Sequence, residues 1–573
     1  MTNRRSRYSS CATITALVGL LSAAAGPAAA ASLSQRELLD ILRHASPAPN
    51  PSAPPGFGTQ AVGPRPDTPV AYDPQLRTEV DTHALSSAAR GAAGGSAAVP
   101  PYAGRMPRAA SGGGPEESAA EGNSLPDARL SSGEAATAGA GPSVPVPVYY
   151  TLDMPWRSIV KLLMRFNVDG VDRYYVCSAA EISSFHLLTA GHCLYNWDPN
   201  KDGNTDDARW ADEVWAWSAQ TDLLEPIGIP EWPFGEAESV LLRSYTGWTS
   251  SQDHAWDWGV VVLNRRDGDH TGWMGREYGF TPTALNFSGY PNEDPYVPAD
   301  SLVQYFGFDD GNVIDFTDSR IEMSAFTYGG HSGGPAWRYD SSSGGRWIEG
   351  VLSTSDRMGS AESTLLTSGK FDDLDAWIAE DESMRPPAAL PDLSEDFFNA
   401  DAKYLYDTSV PAGASISFDY DVLNVGFADS GDIGVDFYLF ADPLTPVVYL
   451  GSETLGNLAA YTYAHNFATV TVPADTWPGL YYVGWEMTAA VFEYSYSNNS
   501  AVIGEQLLLV EAPSCPGDCA ASGAVDINDL VTLVNVSLGS MPISQCVTAD
   551  LDHDSLIEIN ELVSAVLLAE SGC

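Results

Sequence analysis

Three short segments of the sequence carry residue types that together could perform nucleophilic acyl transfer. They are Thr189–Cys193 (TAGHC), which contains His192, then Asp257 before an apolar run, and Gly330–Pro335 (GHSGGP), which contains Ser332. A serine hydroxyl becomes an effective nucleophile when an imidazole accepts its proton and a carboxylate orients that imidazole. The three segments therefore predict hydrolysis of a carbonyl substrate through a covalent acyl-serine intermediate.

The glycine-rich third segment also predicts an oxyanion hole. Glycine adopts backbone conformations that other residues avoid, so the N–H groups of Gly330 and Ser332 could both turn toward a developing negative charge. Four other residues are alternatives for the base or the carboxylate: His186, His254, His270 and Asp253. None of them lies in a comparable sequence setting, and we interpret them as structural or surface residues.

The block from about residue 150 to residue 382 resembles a trypsin/chymotrypsin-fold serine protease. The order His, Asp, Ser is the order of that family, whereas hydrolases of other folds use different orders. The resemblance implies two β-barrels, peptide-bond hydrolysis without a cofactor, and a disulfide between Cys177 and Cys193. It further implies that His192 is the general base, Asp257 the orienting carboxylate and Ser332 the nucleophile.

The block is most similar to the bacterial glutamyl-endopeptidase-like branch of that family. His331 stands where trypsin-like enzymes carry the Asp that binds a freed N-terminal amine, so that activation switch is not expected. Counting back from the nucleophile, Phe326 and Thr327 fall in the specificity pocket, and Phe326 replaces the acid that holds Lys or Arg in trypsins. Leu352 stands where the glutamyl branch has a His. We therefore predict non-tryptic specificity, with an apolar substrate side chain at least as suitable as glutamate.

The sequence around these segments predicts a mainly β fold. Residues 148–385 contain short β-like runs and a closing helix near residues 371–379, as expected for a two-barrel, chymotrypsin-like protease domain. Residues 390–512 predict a β-sandwich, and the motifs Asp419–Gly426 (DYDVLNVG) and Pro478–Val483 (PGLYYV) resemble the CARDB-type immunoglobulin-like domain. That resemblance implies an adhesion or spacer role.

Residues 513–573 contain an internal repeat with an offset of 32 residues. Each copy is an acidic loop followed by an apolar helical run, which is the calcium-binding arrangement, and the module resembles a dockerin type I or EF-hand-like pair. The predicted ligands are Asp550, Asp552, Asp554, Glu558 and Glu561 in the second copy, and Asp518, Asp526 and Asp529 in the first. The resemblance implies Ca²⁺ binding and a cohesin-like or surface partner. The alternative is a calcium-free disulfide knot.

The N-terminal 147 residues predict export and a long spacer. Residues 1–31 combine early arginines, an apolar stretch and a small-residue cleavage site, which is typical of a signal peptide and predicts a secreted, extracellular protein. Residues 32–45 have helical spacing, but the rest of 32–147 is dominated by Ala, Gly, Pro and Ser. Such composition cannot bury enough apolar surface, so it predicts a disordered propeptide or spacer.

The cysteine content and the net charge bear on disulfide bonding and on the possible partners. Export leaves an even number of cysteines, which predicts disulfides: Cys177, Cys193, Cys515, Cys519, Cys546 and Cys573. The last four allow three pairings, among which the sequence does not choose. The net charge of −47 disfavours nucleic acid as a partner, and no transmembrane segment is expected past the N-terminus.

One acidic segment resembles half of a calcium loop: Asp198, Asn200, Asp202 and Gly203. Arg209 occupies the closing position of such a loop, so an acidic surface turn is the preferred interpretation.

The leading hypothesis is a secreted serine endopeptidase that acts on protein or peptide substrates. The competing hypothesis is a non-catalytic secreted adhesion or scaffold protein with a protease-like binding domain. An esterase on the same fold is a third alternative, which substrate profiling would separate.

Overall fold

The computed structural model describes residues 35–48, 67–80, 98–110, 142–222, 231–281, 284–293, 302–307, 313–316, 319–398, 403–511, 515–520, 522–551 and 554–571. The predicted signal peptide, Asp552 and Cys573 lie outside these ranges. Strand (40%) exceeds helix (17%), so the predicted mainly β class is confirmed. The helices of the described part of the chain are all too short or too polar to span a bilayer.

Seven elements belong to the stretch that precedes residue 150. They are α1 (Gln35–His44), β1 (Ser46–Pro47), β2 (Pro69–Asp73), β3 (Thr78–Val80), β4 (Ala98–Val99), β5 (Arg108–Ala109) and β6 (Val146–Pro147). Disorder was the prediction for residues 32–147, and these elements differ from it. The physical reason is that β1, β2, β4, β5 and β6 pair with strands that come later in the chain, and β3 pairs with β2. Local composition does not register such long-range pairings.

A closed six-stranded barrel follows. Its region contains β7 (Ile159–Val168), β8 (Val171–Glu181), β9 (His186–Thr189), α2 (Gly191–Leu194), β10 (Tyr195–Asn196), β11 (Arg209–Trp210), β12 (Glu213–Ser218), β13 (Ala237–Tyr245), α3 (Thr246–Thr249), β14 (Gly259–Leu263) and α4 (Gly268–Thr271). The order is β12-β7-β8-β9-β14-β13, and β13 pairs again with β12 to close the barrel. The sequence of β14, GVVVL, is wholly buried, as suits β-branched residues covered on both faces.

The second half of this block forms a half-barrel. Its elements are β15 (Gly275–Glu277), β16 (Asn286–Gly289), β17 (Tyr305–Gly307), β18 (Val313–Phe316), β19 (Arg320–Met323), β20 (Pro335–Asp340), β21 (Gly345–Ser355), β22 (Ala361–Leu365) and α5 (Ser368–Met384). The order is β18-β19-β22-β21-β20-β16-β17-β6. Helix α5 begins at the Thr367 cap, whose side chain accepts the N–H of Lys370, and its Trp377 joins the core of the first barrel.

A β-sandwich comes next along the chain. Its strands are β23 (Leu393–Ser394), β24 (Tyr404–Leu405), β25 (Ser409–Pro411), β26 (Ser415–Asn424), β27 (Ile433–Asp442), β28 (Thr445–Leu455), β29 (Thr462–Thr471), β30 (Gly479–Ala489), β31 (Ser500–Val502) and β32 (Leu508–Glu511). One sheet is built on β23-β26-β29-β5 and the other on β25-β32-β30-β27-β28. The buried Arg265 guanidinium of the barrel block (residues 148–385) pairs with Asp392 and donates to Val425 O, so a buried ion pair joins the sandwich to that block.

The C-terminal module contains α6 (Ile527–Ser537) and α7 (Ile559–Ser571). Helix α6 begins with a capping box between Asp526 and Asp529, which fixes its first turn. A disulfide joins Cys519 to Cys546, and Cys515 is disulfide-bonded as well. The module has its own small apolar cluster around Leu533.

Candidate active site

His192 and Asp257 are held side by side by neighbouring strands of the first barrel. Thr189 at the end of β9 pairs with Gly259 at the start of β14, which brings the residues beyond these strand ends together. The close approach requires a glycine at position 191, because a Cβ there would lie 2.9 Å from the Trp248 ring and 3.1 Å from Asp257 Oδ1. The strand pairing therefore sets the geometry of the pair.

Asp257 is completely buried and accepts hydrogen bonds on both carboxylate oxygens. Oδ1 accepts the backbone N–H of His192 at 2.8 Å, while Oδ2 lies 2.8 Å from His192 Nδ1 and accepts Ser353 Oγ at 2.5 Å. Burial would raise the pKa of Asp257, but the charge of His192 and these hydrogen bonds outweigh it and lower the pKa below its ordinary value. The carboxylate thus stays ionised beneath the imidazole.

The contact with Asp257 fixes the orientation of the His192 ring. With Nδ1 turned to the carboxylate, Nε2 is the nitrogen left for other chemistry, and it has no hydrogen-bond partner among the described residues. The disulfide between Cys177 and Cys193, with a Cα–Cα distance of 6.2 Å, ties α2 to β8. Cys193 Sγ also lies 3.7 Å from the carbonyl oxygen of Ser332, so the serine turn lies next to α2.

Ser332 lies in a turn whose backbone is fixed from two sides. Ser178 donates its N–H to Ser332 O and its hydroxyl to Gly330 O, both at 2.8 Å. Gly330 and Gly333 have φ angles of +97° and +83°, a region that disfavours side chains. A Cβ on Gly333 would also lie 2.2 Å from Ser178 O. Among the described residues, no acceptor pairs with the backbone N–H groups of Gly330 and Ser332.

The buried residue before the serine is a neutral histidine. His331 is 1% exposed, its Nδ1 accepts the N–H of Tyr328 at 3.0 Å, and burial lowers its pKa to about 3. An uncharged ring at this position offers no ionic partner for a terminal amine.

A cleft opens beside Ser332. Its lining includes Thr327, Leu352 and Arg357, so two of the three predicted pocket residues line it. Phe326 is not among the residues that line it, and its backbone N–H donates to Ser143 O of the segment before β7.

Several residues of the site were missed in the sequence. Ser353 contacts Asp257 directly. Thr364 Oγ1 donates to His254 O and Asp257 O at 3.0 and 3.1 Å, and Lys370 Nζ donates to Ala255 O at 2.6 Å. These two residues clamp the loop that carries Asp257. Their only sequence signal was their location in elements already predicted to form the second barrel.

The alternative titratable residues have other partners. His186 Nε2 contacts Asp381 at 3.2 Å, and the His270 ring stacks on Tyr461. The Asp253 side chain accepts the N–H of Ala255 and so caps the short helix His254–Trp256.

In the second C-terminal loop the carboxylates accept hydrogen bonds from backbone N–H groups of the same loop. Asp550 Oδ2 accepts the N–H of Ser555 and Glu561 accepts the N–H groups of Leu551 and Glu558. The first loop repeats the pattern, since Asp518 accepts Ser522 and Gly523 N–H and Asp529 accepts Cys519 N–H. Asp554 accepts the N–H of Leu556. Within the described residues, these carboxylates form no tight three-oxygen cluster.

Comparisons with known proteins give distant similarities. No family model matches the chain. An extracellular metalloprotease of Bacillus subtilis (strain 168) is 23% identical over 227 residues, which are 40% of this chain and 65% of that protein. The chain thus spans just under two thirds of the length of this curated relative.

Solved structures similar to the chain include a Glu endopeptidase in complex with MPD, at 18% identity and a TM-score of 0.33, covering 42% of this chain and 98% of that one. A CARDB domain from Pyrococcus furiosus is 16% identical with a TM-score of 0.16, covering 21% of this chain and 90% of that domain.

Proposed function

We propose that this protein is a serine endopeptidase with His192 as general base, Asp257 as orienting carboxylate and Ser332 as nucleophile. The observation that carries the proposal is the buried contact between Asp257 Oδ2 and His192 Nδ1. It presents Nε2 for proton transfer and supplies a fixed negative charge for the imidazolium that forms.

In the proposed reaction Ser332 Oγ attacks the peptide carbonyl while its proton passes to His192 Nε2. The N–H groups of Gly330 and Ser332 donate to the oxyanion. His192 then protonates the leaving amine, and the same nitrogen removes a proton from the water that hydrolyses the acyl-enzyme. This chemistry needs no cofactor.

We propose that the specificity is non-tryptic. Arg357 lines the cleft and its guanidinium pairs with Glu293 at 2.7 Å, so the described lining residues include no carboxylate that could bind a cationic substrate side chain. Leu352 adds an apolar wall. These residues favour apolar or acidic side chains over Lys and Arg.

The name of the curated relative raises metal-dependent hydrolysis as an alternative. Within the described residues, the one group of three potential ligands is Cys177, His192 and Cys193. Both cysteine sulfurs are consumed in the disulfide, so this donor set does not suit a catalytic metal, and the serine chemistry remains the proposal.

We further propose that the protein is secreted and that its C-terminal module binds Ca²⁺. One observation supports the second loop as the site: Asp550 is 2% exposed, and its Oδ1 is buried without a hydrogen-bond partner among the described residues. Asp550, Asp554 and Glu561 would hold the ion, which would stabilise the loop rather than take part in hydrolysis.

The two module helices support a proposed protein partner of the cohesin-like kind. Each presents a stripe of exposed apolar side chains at helical spacing, and the stripes match in the 32-residue repeat: Ile527, Val531 and Val534 on α6, and Ile559, Val563 and Val566 on α7. Exposed apolar stripes of this kind are typical of association surfaces.

The decisive experiment is active-site labelling with a fluorophosphonate probe. We expect stoichiometric labelling of the secreted protein after N-terminal processing, and none in Ser332→Ala. Ser342→Ala, a change in an exposed turn, is the matched control and should label like the wild type. A folded, processed protein that does not label would contradict the endopeptidase and favour the adhesion or scaffold hypothesis.

A further inference from the structure

The N-terminal segment Gln35–Ala48 lies against the protease-like block and reaches the cleft beside Ser332. Its helix, α1, is amphipathic, with Leu38 and Leu42 buried to 0% and 2% exposure. These side chains pack in one cluster with apolar residues of the first barrel, namely Leu163, Val176, Trp215, Trp217 and Trp232. Arg36 at the start of α1 also pairs with Asp442 of the sandwich at 3.0 Å.

Beyond the helix the chain becomes extended and pairs with β8. Ser46 and Pro47 run parallel to Tyr175 and Val176, and the N–H of Ala48 donates to Val176 O at 3.2 Å. On the opposite side, Asn292 Nδ2 donates to Ala45 O at 3.0 Å. The segment is therefore held by backbone hydrogen bonds as well as by apolar contacts.

The end of the segment contacts the catalytic turn. Pro47 packs against Gly329, where an added Cβ would lie 2.5 Å from Pro47 Cβ. Ala48 is 4% exposed and lines the same cleft as Thr327, Leu352 and Ser332. A substrate chain entering this cleft would meet Ala48.

The segment reaches the cleft wall but is not bound as a substrate would be. A peptide bond about to be cleaved places its carbonyl oxygen on the oxyanion donors. The N–H groups of Gly330 and Ser332 donate to no atom of Gln35–Ala48. The docked chain thus forms part of the cleft wall at Ala48 while these N–H groups stay unengaged by it.

We propose that the barrel face of Leu163, Val176, Trp215, Trp217 and Trp232, together with the β8 edge, is an inhibitor-binding surface, and that its occupant is Gln35–Ala48 of the same chain. This inference rests on the proposed function. It adds that the full-length protein is held inactive by an apolar helix joined to a cleft-covering strand, and that activity follows release of this segment.

The test measures the rate of fluorophosphonate labelling of Ser332 in the full-length chain. Leu38→Asp with Leu42→Asp puts charges into the apolar cluster and should detach the helix, giving labelling at least ten-fold faster than in the wild type. Asp40→Asn, on the exposed side of α1, is the matched control and should label at the wild-type rate. Adding a synthetic peptide of residues 35–48 to the double variant should slow its labelling again.

A second variant guards against misfolding of the first. Ala48→Pro removes the N–H that bonds Val176 O and alters the segment alone, so it should also accelerate labelling, by a smaller factor. Near-ultraviolet circular dichroism checks that each variant keeps its buried tryptophans ordered.

The outcomes separate the two proposals. Wild-type labelling as fast as that of folded detached variants would overturn the inhibitor while leaving the endopeptidase intact. If no folded variant labels, the segment is not what limits reactivity and the inhibitor proposal fails. Continued failure after limited proteolysis of the N-terminus would contradict the endopeptidase as well.

Discussion

Two buried carboxylates, Asp257 beside His192 and Glu236 at the junction with the sandwich, differ in whether they stay charged. Asp257 is 0% exposed and Glu236 is 4% exposed. Asp257 accepts three hydrogen bonds, two of them from His192, and its pKa is lowered. Burial, reinforced by the charge of Glu238, raises the pKa of Glu236 to about 8, and hydrogen bonds from Ser495 and Trp217 offset only part of that rise.

The difference shows that burial alone does not set the charge of an interior acid. Desolvation acts on both groups in the same direction. What separates them is the adjacent imidazole and the number of donors aimed at the carboxylate. Asp257 is arranged to remain charged, which the proposed reaction needs, whereas Glu236 is mainly protonated at neutral pH and accepts hydrogen bonds from Trp217 and Ser495.

The largest expected effect comes from removing the charge of Asp257. Asp257→Asn keeps the shape of the side chain but loses the charge that orients His192 and stabilises its protonated form, so kcat/KM on a peptide substrate should fall about 10⁴-fold. Asp253→Asn is the matched control, because this neighbouring carboxylate only caps a short helix, and it should lower kcat/KM less than 10-fold. Equal losses in the two variants would contradict the role proposed for Asp257.

The second prediction concerns the pH dependence of stability. Glu236 has a pKa of about 8 in the folded protein and an ordinary value of 4.5 when unfolded. The folded state therefore binds more protons between these values, and stability falls as pH rises from 4.5 to 8, by about 4 kcal/mol for this group.

Glu236→Gln should remove that part of the dependence. Denaturant unfolding midpoints followed from pH 5 to pH 8.5 should decline less steeply in this variant than in the wild type. The exposed Glu505→Gln is the control and should follow the wild type. Parallel curves for Glu236→Gln and the wild type would show that Glu236 is ionised inside the fold.

The same contrast explains what the sequence could predict. The apolar run of β14 and the glycine turn around Ser332 can be predicted from the local sequence, because strand burial and turn conformation follow from nearby residues. Ser353 and Glu236 acquire their roles from partners about 100 and 260 residues away along the chain, Asp257 and Ser495. Nothing in their immediate neighbours signals such a contact.

In the N-terminal stretch the described elements differ from the predicted disorder for a related reason. Its composition predicts disorder, yet β2 pairs with β13 and β1 with β8. Stretches of later strands that lack another strand on one side supply hydrogen-bond partners that a composition argument leaves out. Only the spacing in α1, with Leu38 and Leu42 on one face, signalled order there.

The C-terminal loops extend the comparison to a carboxylate with an unpaired oxygen. Asp550 Oδ1 is buried without a partner among the described residues, a state that favours a cation. Saturating Ca²⁺ should raise the stability of the module by about 2–4 kcal/mol, measured by calorimetry in Ca²⁺ and in EDTA. Asp550→Asn should abolish most of this gain.

Asp518→Asn is the matched change in the first loop, where Ala520 removes one ligand, and it should have the smaller effect. Peptide hydrolysis should be unchanged in both variants. A calcium effect of the same size in Asp550→Asn as in the wild type would contradict calcium binding in the second loop and favour the disulfide knot.

The smallest effect should follow the loss of one donor to Asp257. Ser353→Ala removes the 2.5 Å hydrogen bond to Oδ2 and leaves both contacts with His192, so kcat/KM should fall about 10-fold, in keeping with about 1.5 kcal/mol for a hydrogen bond to a charged group. Because that bond lowers the pKa of Asp257, its loss should raise that pKa, so the stability contributed by the ionised carboxylate should be lost at a higher pH during acid unfolding. Ser355→Ala, whose hydroxyl instead donates to Thr327 O in the cleft wall, should alter the preference among substrates and leave the acid unfolding midpoint in place. An unchanged acid unfolding midpoint in Ser353→Ala would show that the charge of Asp257 depends on its pairing with His192 and not on the number of donors around it.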